Sequence, residues 1–130
     1  MTTIEQIDGV DRGDPPHDSS TLVRRCTTLR RKSLDRFTPE DLRIMLGQRE
    51  AVPILLPLAV DMLVDNPLAE GDFYPGDLLM TVLRLPSSTW VTLQDGRRRL
   101  TAAVAAVDLD PADLPPEVID AVATAKQNSV

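Results

Sequence analysis

Residues 38–63 read TPEDLRIMLGQREAVPILLPLAVDML, and they decide the fold class. Thr38 offers a hydroxyl to cap a helix, Pro39 suits the first helical position, and Glu40 and Asp41 meet the helix's positive end. Leu42, Met45 and Leu46 recur at helical spacing, and Gly47 is predicted to close the element. A second helix opens between Arg49 and Pro53 and carries Leu55, Leu58, Ala59, Met62 and Leu63. Ile54, Leu56 and Val60 make it apolar on several sides, the pattern of a helix enclosed by neighbours. Pro57 lies inside it, lacks an N–H and crowds the carbonyl of Pro53, which predicts a kink or a late start.

Helical signals continue on both sides. Upstream, Thr2 and Glu5 have capping-box spacing ahead of a short Ile4/Ile7 turn that ends near Gly9. Gly13 to Asp18 reads as loop. Asp18 or Ser19 is predicted to cap a helix with Leu22, Val23, Cys26 and Leu29 on one face. Downstream, Leu78, Leu79, Val82 and Leu83 mark a helix that stops before Pro86. Ser87 to Leu93 reads as a short turn or helical piece burying Trp90, with weak strand-like alternation from Trp90. Arg97 to Arg99 open a helix with Leu100, Ala103, Val104 and Val107. Pro115-Pro116-Glu117 starts a last one with Val118, Ile119, Val122 and Ala123, and Lys126 to Val130 is predicted to fray. The expectation is one all-α domain over residues 1–130, with C-terminal helices spanning 97–126. It is a compact bundle of about six helices with no substantial sheet.

Composition narrows the function. The 130 residues are 42% hydrophobic, enough for one core, but Phe37, Phe73, Tyr74 and Trp90 are all the aromatics. The core must be aliphatic. A net charge of −6 argues against nucleic acid or an anionic membrane surface as partner. No apolar run reaches the roughly 18 residues of a membrane-spanning helix. The N-terminus lacks the basic-then-apolar layout of a secretory signal. Cys26 is the only cysteine, which excludes an intrachain disulfide and fits a packed thiol in a reducing cytoplasm.

The charge is segregated along the chain. Arg24 to Arg49 holds eight basic residues, whereas Glu50 to Val82 contains no Lys or Arg. Within the acid stretch, Asp61, Asp65, Glu70, Asp72 and Asp77 surround the loop NPLAEGDFYPGDLL at 66–79. Asp72 and Asp77 have a local use as helix-start residues. Asp61 and Asp65 do not: four apart on one helix face, they repel each other near the helix's negative end. Two compensations stay open, a basic neighbour in the fold (the Arg24 to Lys32 segment) or a cationic partner outside it. Tyr74 and Phe73, between the acids, would add the aromatic element that interfaces favour, or else fill the core. The candidate binding set is therefore Asp61, Asp65, Glu70, Asp72, Tyr74 and Asp77.

Chemistry by catalysis has little support. His17 is the single histidine and sits in a Pro-rich loop, and any Ser-His-Asp or Cys-His set would have to use it. No phosphate-binding Gly-rich loop is present. Glu70, Asp72 and Asp77 would serve a carboxylate-bound Mg²⁺ or Ca²⁺, the basis of a metal-dependent hydrolase alternative, but their spacing fits no EF-hand. A general helical protein-interaction module is the other alternative. Arg97 to Arg99 read as a solvated helix face.

Three blocks carry a family resemblance: SLDRFTPEDLRIMLGQ at 33–48, ILLPLAVDML at 54–63 and NPLAEGDFYPGDLL at 66–79. In this order they resemble the α-helical immunity proteins of contact-dependent growth inhibition systems. IEQIDGVDRGDPP at 4–16 and the segment 20–29 are similar to that family's opening helix. The resemblance covers residues 2–90 and stops beyond Trp90. It implies a small cytoplasmic protein that binds and neutralises a cognate toxin domain delivered by neighbouring bacteria. It also implies no catalysis and no cofactor. Many such toxins are nucleases with basic substrate surfaces, which an acidic face of this chain would match.

Overall fold

The computed structural model describes residues 2–108 and 114–128. Among them are seven α-helices: α1 (Ile4–Asp8), α2 (Thr21–Arg30), α3 (Pro39–Gly47), α4 (Val52–Asp65), α5 (Asp77–Leu83), α6 (Gln94–Ala105) and α7 (Pro116–Asn128). Two 3-10 turns, Leu34–Arg36 and Ser87–Trp90, link them. The β-pairing among the described residues is a single bridge between Glu70 and Pro75. The all-α expectation holds, with seven helices rather than six because the first turn at Ile4 is a helix of its own.

α4 sits at the centre, against α3, α5 and α6, and α6 packs in turn on α7. Leu55, Leu56, Ala59, Val60 and Leu63 of α4 are buried, and Leu58 and Met62 partly so. Each fully buried leucine contributes about 1.5–3 kcal/mol, so this helix supplies much of the aliphatic core. α4 begins at Val52, ahead of Pro57, which excludes the late start. Pro57 is accommodated inside a helix held by neighbours on several sides. Trp90 is buried in its 3-10 turn, and no strand forms there.

The start of α3 is as the sequence reads. Thr38 Oγ1 accepts from Asp41 N, and the Asp41 carboxylate accepts from Thr38 N, a complete capping box. Its end differs. Gly47 is the last helical residue, and the left-handed residue is Arg49, at φ 56°. Glu50 N donates to Met45 O and Arg49 N to Leu46 O, a Schellman closure with Arg49 where glycine is usual.

Upstream, two predicted caps shift along the chain. Thr3 with Gln6, not Thr2 with Glu5, forms the box of α1, because the Thr2 carbonyl accepts from Leu34 N at 2.8 Å. Ser20, not Asp18 or Ser19, caps α2, and the Ser19 carbonyl instead accepts from the Arg24 guanidinium. α2 buries only Leu29 and Arg30, and leaves Leu22 and Val23 exposed. Leu83 is also exposed. At the far end α7 continues through Asn128, so Lys126 is helical rather than frayed, and its ammonium donates to Ala105 O at 2.7 Å. Ser129 and Val130, and residues 109–113 leading into α7, lie outside the described residues.

The basic residues of α2 hold the N-terminal segment. Buried Arg30 donates to both carboxylate oxygens of Asp8 and to Val10 O. Arg31 reaches Glu5, Asp14 and the Gly13 carbonyl, and Arg24 the Pro16 and His17 carbonyls. Arg12 pairs with Glu50 at 2.9 Å, fastening the same segment to the α3–α4 corner.

Candidate functional site

The acidic stretch comprises the last turns of α4 and the loop 66–76. Asp61, Asp65, Glu70 and Asp72 are exposed. The neutralising neighbour of Asp61 is not the Arg24 to Lys32 segment but Arg99 of α6, at 3.3 Å. Both side chains are more than half exposed, so the pair contributes little to stability. The other arginines of that triplet stay local, Arg98 on Asp95 and Arg97 over the Trp90 ring at 5.9 Å. Arg97 and Trp90 line a groove of about 350 Å³ between the 3-10 turn 87–90, α6 and α7. Asp65 and Glu70 have no cationic side chain within ion-pair distance among the described residues.

Asp77 behaves differently. It is the first residue of α5 and only 3% exposed. Its carboxylate turns back, accepting from Gly71 N at 2.7 Å and Phe73 N at 3.1 Å. Gly76, at φ 91°, occupies the cap position without a side-chain bond. Asp72 does not cap α5 either. Its N–H donates to Glu40 of α3 at 3.0 Å, and its side chain, though exposed, lies close enough to Glu40 and Arg43 to act on both. Asp77 therefore belongs to the loop's interior, and Asp72 to its surface.

Glu40 joins this clamp across the fold. Arg43, one turn along α3, donates to both its oxygens. That guanidinium, with the Asp72 N–H, holds the Glu40 carboxyl below its ordinary value of 4.5 against the cost of burial. The same carboxylate raises the Arg43 guanidinium further. Arg43 also stands 3.9 Å from Asp77. So two buried carboxylates from different helices grip three consecutive backbone N–H groups, those of residues 71–73. Gly71 fits because it has no side chain: a Cβ there would lie 2.5 Å from Glu40 Oε1 and 2.9 Å from Asp77 Oδ2.

The clamp presents an aromatic ring. Phe73 is 69% exposed, whereas Tyr74 is half-buried. Arg43 lies over the Phe73 ring, 4.4 Å from its centroid, a favourable cation–π placement. Glu40, Arg43 and Phe73 are absent from the set the sequence nominates. The Glu40/Arg43 pair at i,i+3 was the available signal, but its partner loop is remote in sequence. Among the described residues no three metal-ligating side chains gather. Asp77 is buried, whereas Glu70 and Asp72 are exposed. No helix among these residues is long and apolar enough to cross a membrane.

A helical chain with a clamped acidic loop leaves its identity to its relatives. Residues 6–100 match the CDI immunity proteins, those of contact-dependent growth inhibition. The chain belongs to this family. The match includes α2 to α5, the clamped loop and the first half of α6, reaching beyond Trp90. No curated protein and no solved structure matches this CDI immunity protein.

Proposed function

We propose that this protein binds a cognate toxin domain in the cytoplasm and neutralises it without catalysis, using the acidic end of α4 and the loop 66–76 as contact surface. The carrying observation is that Asp65 and Glu70 are exposed with no cationic partner among the described residues. Asp65 also ends α4, where the helix's own partial charge is negative. A basic surface from outside relieves both penalties. The nucleic-acid groove of a nuclease is such a surface, and carboxylates occupying it would stand in for phosphates. Asp61 and Asp72 are the other exposed acids of this stretch, and Asp77 supports the loop from within.

The test is association kinetics with the toxin domain encoded in the same gene cluster, in catalytically inactive form. Changing Asp61, Asp65 and Glu70 together to Lys should slow association about 10-fold or more at low salt and flatten its salt dependence. An unchanged association rate in a folded triple variant would sink the acidic-surface reading.

A further inference from the structure

We infer that Phe73 is the anchor of this interface, and that the toxin domain receives it in an apolar socket with a basic rim. The inference rests on the toxin-binding reading above and adds the chemistry of the partner. Phe73 is the most exposed large hydrophobic side chain among the described residues, at 69%. An exposed ring on a loose loop would be unremarkable, because single exposed apolar residues are common. This loop is not loose. Asp77 holds the N–H groups on either side of Asp72, and Glu40 holds that of Asp72 itself.

Arg43 covers the ring at 4.4 Å and is itself fixed by two bonds to Glu40. Backbone and ring are thus placed before any partner arrives, which removes much of the ordering cost of binding. Aromatic side chains in rigid settings, buried by a partner and ringed by polar contacts, are where interface energy concentrates. The rim follows from charge. Asp72 adjoins Phe73 in the chain, Glu70 precedes it by three residues, and both are exposed. A socket that takes the ring meets these carboxylates at its edge, where Lys or Arg would pair them. Arg43 is a positioning residue, setting the ring rather than touching the partner.

The two contributions separate kinetically. Rim charges act mainly on association, and a buried anchor on dissociation. With the inactive toxin domain of the same gene cluster as probe, Phe73→Ala should raise the dissociation rate about 30-fold or more and leave association within about 3-fold. Its unfolding midpoint should stay close to the wild type, shifted at most by loss of the cation–π contact with Arg43, since the ring is outside the core. Arg43→Lys keeps the charge beside Glu40 but loses the flat face. It should speed dissociation in the parent protein and have no further effect in the Phe73→Ala background. A Phe73→Ala complex that dissociates within about 3-fold of the wild-type rate overturns the anchor, whatever the Lys reversals do. If Phe73→Ala weakens the complex while the reversals leave association unchanged, the anchor stands and the acidic-surface reading falls. A wild-type protein that does not bind the toxin domain overturns both.

Discussion

At the scale of single residues, Gly71 shows how closely the acidic loop is fitted. Its amide is received by Asp77, and the space where a side chain would stand holds oxygens of Glu40 and Asp77. Those oxygens are not free to retreat. Glu40 is held by Arg43 and the Asp72 amide, and Asp77 by two loop amides. Gly71→Ala must therefore break one of these bonds or shift the loop, and should destabilise the protein by about 1–3 kcal/mol. Urea unfolding measures this directly. An alanine variant with an unchanged midpoint would mean that the clamp yields readily and does not fix Phe73. Exposure sorts the acids of the stretch into two kinds. Asp77, with Glu40 of α3, builds the loop from inside, whereas Asp61, Asp65, Glu70 and Asp72 are exposed. Sequence places Asp77 correctly at a helix start, but it cannot tell that the carboxylate points backwards.

At the scale of elements, helix identity was legible wherever the decisive chemistry is local. Thr38, Pro39 and Asp41 complete their cap within four residues, and the apolar crowding of α4 announces a central helix. One boundary slipped where a remote group competes, as Leu34 does for the Thr2 carbonyl. The partners of the α2 arginines were illegible for the same reason, since Asp8, Asp14 and Glu5 lie a long loop away. The end of α3 is an instructive case. Glycine at 47 suggests the stop, yet the left-handed position falls two residues later on Arg49. An L-residue there carries a penalty of about 1–2 kcal/mol, which glycine avoids while adding backbone entropy to the unfolded chain. Arg49→Gly should on balance stabilise the protein by about 0.5–1 kcal/mol, read as a higher urea midpoint with unchanged slope. A loss of stability would show that the Arg49 side chain makes a compensating contact.

At the scale of the whole molecule, ion pairs add to the hydrophobic core in holding segments together. Asp8 on Arg30 secures the N-terminal segment, Asp41 on Lys32 the start of α3, and Glu40 on Arg43 the acidic loop. All three carboxyls sit below their ordinary values of 3.8 for the aspartates and 4.5 for Glu40. For Asp8 the Val10 amide leads, with Arg30 behind it. For Asp41 burial pushes upward but is outweighed by Lys32 and the Thr38 amide. For Glu40 the Arg43 bonds dominate. A depressed folded value means that near pH 4 the unfolded chain binds more protons than the native one, so stability rises with pH across that range. These contributions are complete above about pH 5 and disappear as the pH falls through 4.5 and 3.8 toward the lower folded values. Urea midpoints should therefore be level from pH 7 to about 5 and then drop. Glu40→Gln, which cannot titrate, should start lower at pH 7 and lose less on acidification than the parent. A variant whose acid profile runs parallel to the wild type would remove Glu40 from the set. The acidic loop would then have to be held chiefly by Asp77, whose two backbone bonds alone would carry the placement of Phe73.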